Sequence, residues 1–236
     1  MDLKRSMDFM EVEDKEIIRR ILLNIAAEYP PLTYYQGMNY IAIFLYKAFG
    51  KDAKKAFHFL CYMADYCLIK YFGNNFQGTL KLIFVVDKLL EKVYPSIWAK
   101  LFRGHVSAIH FTIPNFITLF TSMIKSPDTL PYIYDIWDCL LGKGIPCLVN
   151  SLLLMLEVQQ SQLFKIPSDQ LLLVMKNVEK DPFAIVKSAG VSDMKAYYEG
   201  LSKKAIVGVA VGRADIYRLE EMFEKVRQLI QTNWEN

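Results

Sequence analysis

Cysteine, long apolar runs and an excess of charge of one sign are all scarce in this sequence of 236 residues. Its four cysteines are too few and too scattered for a disulfide framework, which favours a reducing compartment. The most apolar stretches, residues 111–124 and 147–158, are too short or too polar to span a bilayer. Residues 1–15 are charged and hold no apolar core, so no secretory signal is visible. We therefore predict a cytoplasmic protein without a transmembrane segment, either free in solution or peripheral to a membrane, cytoskeletal or ciliary structure.

The charge balance argues against nucleic-acid binding. The chain has 28 basic and 25 acidic residues, a net charge of +3, and lacks the basic stripe that a dedicated nucleic-acid binder carries. The small cluster Lys51, Lys54 and Lys55 is typical of a solvated helix face. The hydrophobic content of 53% exceeds the roughly 45–50% of ordinary globular proteins. Either the core is generous or a partner covers part of the apolar surface.

Motifs for self-contained catalysis or metal binding are also missing. His58, Cys61 and Cys67 have no accompanying second Cys or His pair, so they are interpreted as buried core residues rather than zinc ligands. No Gly-x-Ser-x-Gly elbow and no His-Glu-x-x-His motif is present. We therefore expect no cofactor or metal of the chain's own, and no complete active site.

The spacing of apolar residues is helical nearly throughout, which predicts an all-α fold. Residues 17–25 present apolar side chains on one helical face, and Pro30 and Pro31 end that helix. A second helix is predicted from about Gly37 to Phe49. The one candidate strand is the β-branched run Ala205–Val211.

Residues 213–236 differ from the body of the chain and predict an amphipathic C-terminal helix after a helical domain over residues 1–212. Apolar side chains there recur at steps of three and four residues, at Ile216, Leu219, Phe223, Val226 and Ile230. Two interpretations stay open. The helix docks back on its own domain, or it packs on a helix of a partner.

Two segments are unusual, Asp2–Ser6 and Tyr34–Tyr40. In the second, Gln36 follows the Pro-Pro break and precedes Gly37, which lets another backbone approach closely. An amide carries one acceptor and two donors, so it can orient a water molecule without becoming charged. A lone Gln at this place is also compatible with an ordinary turn.

These two segments resemble the two finger motifs of the TBC domain, the family of GTPase-activating proteins of Rab GTPases. Asp2 and Arg5 match the last fixed positions of the first motif, and Tyr34, Gln36 and Gly37 match the Tyr-x-Gln-Gly motif. Later segments fall in the family's order: Tyr94-Pro95-x-x-Trp98, Asn115–Phe120 and Ile136-Trp137-Asp138. The resemblance covers roughly residues 2–180. It implies a multi-helix TBC-type domain of two packed helical subdomains, with the fingers in residues 1–40 and the second helical half from about residue 80.

The resemblance also implies a mechanism, in which the chain activates a Rab-family small GTPase in trans while the Rab carries the GTP and Mg²⁺. Arg5 is then the arginine finger that neutralises charge on the transferred γ-phosphoryl group. Gln36 is the glutamine finger that orients the attacking water. Asp2 would hold the arginine segment through a salt bridge, Tyr34 would pack beneath the glutamine loop, and Gly37 would complete the motif.

The start of the chain departs from the family pattern. The Ile of the first motif has no counterpart, and the helices that precede it in the family are missing. We therefore expect an N-terminally truncated TBC domain, with a partner protein covering the truncated face or the helix at 216–230. An alternative function follows, that of a catalytically inactive TBC-fold scaffold or structural subunit in a larger membrane, ciliary or centrosomal assembly.

Overall fold

The structure is a computed structural model that describes residues 12–73, 76–124, 130–178, 217–225 and 228. Within those ranges every regular element is helical and none is a strand, which confirms the predicted all-α fold. The candidate strand Ala205–Val211 lies outside the described residues. None of the described helices is long and apolar enough to cross a membrane. The chain divides into two compact units, each of which is described by itself.

The first unit holds the described residues up to Thr79 and the later segment Phe116–Ser122. Its helices are α1 (Val12–Glu28), α2 (Met38–Ala48), α3 (Ala53–Met63) and α4 (Ile69–Phe72), with a 3₁₀ turn at Pro30–Leu32 and a π-helical segment at Ala64–Leu68. The core of the unit is formed by fully buried apolar side chains of α1, α2 and α3, among them Ile18, Leu22, Ile25, Met38, Ile41 and Leu60.

The ends of α1 and α2 follow the predicted signals. Helix α1 ends at Glu28, and Pro30 and Pro31 open a 3₁₀ turn, since proline has no N–H for the helical ladder. Helix α2 begins directly after Gly37 and ends before Phe49. The predicted end of α1 and both predicted ends of α2 are therefore correct to within one residue.

The prediction that His58, Cys61 and Cys67 are all buried is correct only for Cys67. His58 is exposed and Cys61 is half-buried. Burial raises the pKa of the Cys67 thiol to about 12, so this thiol stays protonated at neutral pH.

The three lysines of the basic cluster differ in their contacts. Lys54 and Lys55 are exposed, and the Lys55 ammonium lies 3.4 Å from Asp52, the residue that caps α3. Lys51 reaches back to α1, where its ammonium donates to Oδ2 of Asp14 at 2.7 Å. This ion pair ties the turn after α2 to the first turn of α1.

The second unit holds the remaining described residues. Its helices are α5 (Gln77–Val93, with its first residues in the first unit), α6 (Pro95–Arg103), α7 (Ile109–Phe116), α8 (Leu130–Lys143), α9 (Ile145–Val158), α10 (Gln160–Lys165) and α11 (Ser168–Val178). Helices α8 and α9 form a hairpin around Gly144, whose φ of 81° suits glycine. Helix α6 packs on α11 at Gly104, where an added Cβ would come within 2.7 Å of the Leu171 side chain.

The α8–α9 hairpin brings two cysteines together, a contact that was not predicted from the sequence. Cys139 in the last turns of α8 and Cys147 in the first turn of α9 form a disulfide with Cα atoms 5.9 Å apart. That separation is within the range a disulfide requires. Cys147 is buried, whereas Cys139 is partly accessible.

Residues 217–225 form a helix that lies against α5. The Phe223 ring meets the Phe84 ring edge-on with centroids 5.6 Å apart, and Glu224 forms an ion pair with Lys81. Over these residues the helix follows the first of the two interpretations, docking on its own chain. The boundary predicted at residues 212 and 213 lies outside the described residues and stays a prediction.

Candidate functional site around Gln36

The candidate site is a short loop, residues 33–37, which we call the glutamine loop. It joins the 3₁₀ turn Pro30–Leu32 to α2. The Gln36 side chain is exposed, while the residues on either side of it, Tyr35 and Gly37, are buried. Two buried residues thus hold the backbone on either side of Gln36, whose own side chain is exposed to solvent.

Tyr29 anchors the entry to this region through a hydrogen bond. Its hydroxyl donates to Oδ2 of Asp65 at 3.0 Å, in the π-helical segment of the same unit. Burial, together with this carboxylate, raises the pKa of Tyr29 to about 12. The phenol therefore stays protonated and keeps donating at physiological pH. A π-helical segment carries an extra residue per turn and redirects side chains, and such segments often occur at functional sites.

Tyr35 anchors the residue just before Gln36. Its ring is 5.2 Å from the Phe72 ring and meets Phe76 edge-on at 5.8 Å between centroids. Such tilted and edge-on pairs are favourable aromatic geometries. Burial raises the pKa of the Tyr35 hydroxyl well above its ordinary value, so this group stays neutral in the core.

Gly37 anchors the residue just after Gln36. Its φ of 116° is in the left-handed region that side chains disfavour. An added Cβ would lie 3.1 Å from Cγ1 of Ile117 and 3.2 Å from the carbonyl oxygen of Ile117. The Gly37 N–H donates to Oδ1 of Asn39 at 3.1 Å. The backbone conformation therefore favours glycine strongly, and an added Cβ would in addition be crowded against Ile117.

Ile117 belongs to the segment Phe116–Ser122, which is part of the first unit. Within it Phe116, Leu119 and Phe120 are fully buried, and Thr121 Oγ1 donates to the Thr118 carbonyl at 2.6 Å. This packed turn gives the glutamine loop a firm support.

Of the site residues predicted from the sequence, the structure places Tyr34, Gln36 and Gly37 in one loop, with Tyr34 half-buried. Asp2 and Arg5 lie outside the described residues, so their relation to Gln36 stays a prediction. Four further residues support the loop or the turn before it and were not predicted from the sequence: Tyr29, Asp65, Asn39 and Ile117. Only Asn39 and Ile117 could have been found from the sequence, because they lie in the motif segments Tyr34–Tyr40 and Asn115–Phe120.

Among the described residues, no group of three or more His, Cys, Asp or Glu side chains is placed so that it could hold a metal ion. The loop chemistry is that of an uncharged amide. Such a group can donate to an oxygen and accept from a water molecule at once.

Fold and site together define an all-helical domain that presents an amide outward from a loop anchored on both sides. The family described as "Rab-GTPase-TBC domain" matches residues 1–164, and the chain belongs to this family.

Individual proteins are also similar in sequence to this chain. The chain is 26% identical over 176 residues to the GTPase-activating protein GYP5 of Saccharomyces cerevisiae, covering 75% of this chain and 19% of that protein. It is 29% identical over 161 residues to the GTPase activating protein Gyp51 of Schizosaccharomyces pombe, covering 67% and 15%. The putative mitotic check point protein BUB2 of Dictyostelium discoideum is 27% identical over 159 residues, covering 65% and 41%. The match thus spans less than half the length of each of these relatives.

Proposed function

We propose that this chain is a GTPase-activating protein that acts in trans on a Rab-family small GTPase, with Gln36 as its glutamine finger. One observation carries the proposal: Gln36 is exposed while Tyr35 and Gly37, on either side of it, are buried. A finger must reach into a partner's active site without losing its geometry. Exposure supplies the reach, and the buried flanks supply the rigidity.

The chemistry suits an amide and a guanidinium. Phosphoryl transfer requires little covalent work from the protein, so positioning and electrostatic stabilisation dominate. In this proposal the GTPase holds the GTP and Mg²⁺, and Gln36 accepts a hydrogen bond from the attacking water. Arg5 forms hydrogen bonds with the γ-phosphoryl oxygens through its planar, permanently charged guanidinium.

The other predicted residues act as supports in the proposal. Asp2 holds the segment that carries Arg5 through a salt bridge, Tyr34 packs beneath the glutamine loop, and Gly37 allows the left-handed turn after Gln36. The names of two relatives, GTPase-activating protein GYP5 and GTPase activating protein Gyp51, support activation as the function.

Single-turnover GTP hydrolysis by a panel of purified Rab proteins tests the proposal. We expect acceleration by the chain for at least one Rab. Gln36→Ala should lower the rate by about 10²-fold, as removal of one positioned hydrogen-bonding group does elsewhere. Arg5→Ala should lower it by about 10³-fold or more.

Exposed residues of the same types serve as matched controls. Gln170→Ala on α11 and Arg103→Ala at the end of α6 remove an amide and a guanidinium from the surface. Both should leave the rate unchanged. If a folded chain accelerates hydrolysis by no Rab, the proposal is wrong, and the scaffold hypothesis becomes the better one.

A further inference from the structure

We infer that Asn39 is a positioning residue for the Gln36 side chain. The inference rests on the proposed function, in which Gln36 enters the active site of a GTPase. Asn39 lies in the first turn of α2 and is only 2% exposed. Its Oδ1 accepts the hydrogen bond from the Gly37 N–H at 3.1 Å. Asn39 and Gly37 both lie where the glutamine loop joins α2, but their hydrogen bond also constrains the backbone of a third residue.

That third residue is Gln36, because the Gly37 nitrogen belongs to the peptide unit that begins at the Gln36 Cα. The peptide unit is planar, so its six atoms move as one body. Holding the N–H of Gly37 therefore fixes the plane that contains the Gln36 Cα and sets the ψ angle of Gln36. With that angle fixed, the backbone from which the Gln36 side chain projects keeps a single conformation.

The turn geometry shows why this plane needs to be held. The Met38 N–H donates to the Tyr35 carbonyl at 3.2 Å, which closes a β-turn with Gln36 and Gly37 at its centre. The positive φ of Gly37 is the feature that a type II turn requires at its third position. Types I and II differ by a flip of the central peptide, and glycine accepts the backbone angles of both.

Asn39 selects between these two states. In the observed turn the central N–H meets the buried Asn39 oxygen. After a flip that N–H would turn away and the buried oxygen would lose this bond, which is costly. Tyr35 cannot select between the two turn types, because its packed ring fixes the first residue of the turn and not the peptide that joins Gln36 to Gly37. The glutamine finger is thus preorganised by a side chain that never contacts the partner.

Single-turnover kinetics with variants of the full chain test the inference. Asn39→Leu is similar in size and removes the acceptor. We expect the maximal rate to fall about tenfold, the factor that the loss of one buried hydrogen bond predicts. The concentration that gives half-maximal rate should stay unchanged, since Asn39 is not on the surface. Asn39→Asp keeps an acceptor near the positive end of a helix and should retain most of the rate.

A double-mutant comparison separates positioning from a general structural role. If Asn39 acts through Gln36, Asn39→Leu should cause no further loss in a Gln36→Ala background. Equal losses in both backgrounds would overturn the inference. Protection of the Gly37 amide from exchange, measured by NMR, gives an independent readout and should be lost in Asn39→Leu. If that variant does not fold, Asn39→Ala removes the same acceptor without branching.

The outcomes distinguish this inference from the proposed function. Acceleration that is lost in Gln36→Ala but intact in folded Asn39→Leu leaves the function standing and overturns the role of Asn39. No acceleration by the unaltered chain overturns both.

Discussion

Gly37 and Ile117, far apart in the sequence, lie so close in the structure that a side chain at residue 37 would be crowded against Ile117. An added Cβ at Gly37 would lie 3.1 Å from the Ile117 side chain and 3.2 Å from its carbonyl oxygen. The contact holds the C-terminal side of the glutamine loop against the turn at Phe116–Ser122. Gly37 is therefore a position of the candidate site at which a side chain should be poorly tolerated.

Replacing Gly37 by alanine should therefore reduce both stability and GTPase activation. The positive φ and the close contact together should lower the free energy of unfolding by about 2–3 kcal/mol. Gly50→Ala is the matched control, since Gly50 also has a positive φ (61°) but an added Cβ meets nothing within 4 Å. It should cost only about 1 kcal/mol. Urea denaturation measures both, and equal losses would contradict the role of Ile117.

Tyr29→Phe should destabilise the first unit by about 1 kcal/mol, because the hydrogen bond to Asp65 is lost. Tyr62→Phe removes a hydroxyl from a ring that is 49% exposed and should change stability little. Denaturation at pH 7 compares the two, and similar small effects would show that the Tyr29 bond contributes nothing.

The same bond predicts an effect at alkaline pH. The pKa of Tyr29 is raised in the folded chain from 10.0 to about 12. A raised pKa contributes stability below pH 10 that is lost as the pH rises through 12. The unaltered chain should therefore lose more stability than Tyr29→Phe between pH 10 and pH 12. Parallel curves for the two chains would contradict this.

Asp14 predicts the opposite pH dependence. The hydrogen bond from Lys51, assisted by one from Tyr46, holds the pKa of this carboxyl below its ordinary value of 3.8. A lowered pKa contributes stability at neutral pH that is lost as the pH falls through the folded-state pKa. Asp14→Asn should flatten the acid side of the stability curve. Glu13→Gln, which alters an exposed neighbour, should leave the curve steep.

The disulfide between Cys139 and Cys147 predicts a simple peptide pattern. Trypsin cleaves after Lys143, between the two cysteines, and gives the peptides 126–143 and 144–165. Without reductant these peptides should remain linked and two hydrogens lighter than their sum, and dithiothreitol should separate them. Cys61 and Cys67 should alkylate as free thiols once the chain is unfolded. Alkylation of all four cysteines without reduction would rule out the bond.

Phe223→Ala should loosen the helix at residues 217–225, because Phe223 packs on Phe84 of α5. Hydrogen exchange should accelerate in that helix and in the facing turn of α5. Met222→Ala removes an apolar side chain of the same helix that is 38% exposed, and exchange should be unaffected. If neither variant changes exchange, the helix is held by contacts other than this ring pair.

Residues with strong local effects made part of this fold predictable. Pro30 and Pro31 end α1 whatever surrounds them, since the missing N–H and fixed φ act within one turn. The exposed Gln36 was predictable from its place between a proline break and a glycine. His58 was not, because a spacing of three residues shows which side chains share a helical face and not which face is buried. In α3 the buried face is Ala56, Leu60 and Met63.

Four features follow from the amino-acid sequence alone: the all-α class, the end of α1 and both ends of α2, the absence of long apolar runs, and the family resemblance of the loop that carries Gln36. These depend on local backbone chemistry and on side-chain order along the chain. Only the folded structure shows the contacts around that loop: Asp65 with Tyr29 just before it, Phe72 with Tyr35, and Ile117 with Gly37. It also decided that Cys139 meets Cys147. Such contacts join residues from separate elements, and only the packing of those elements brings them within reach.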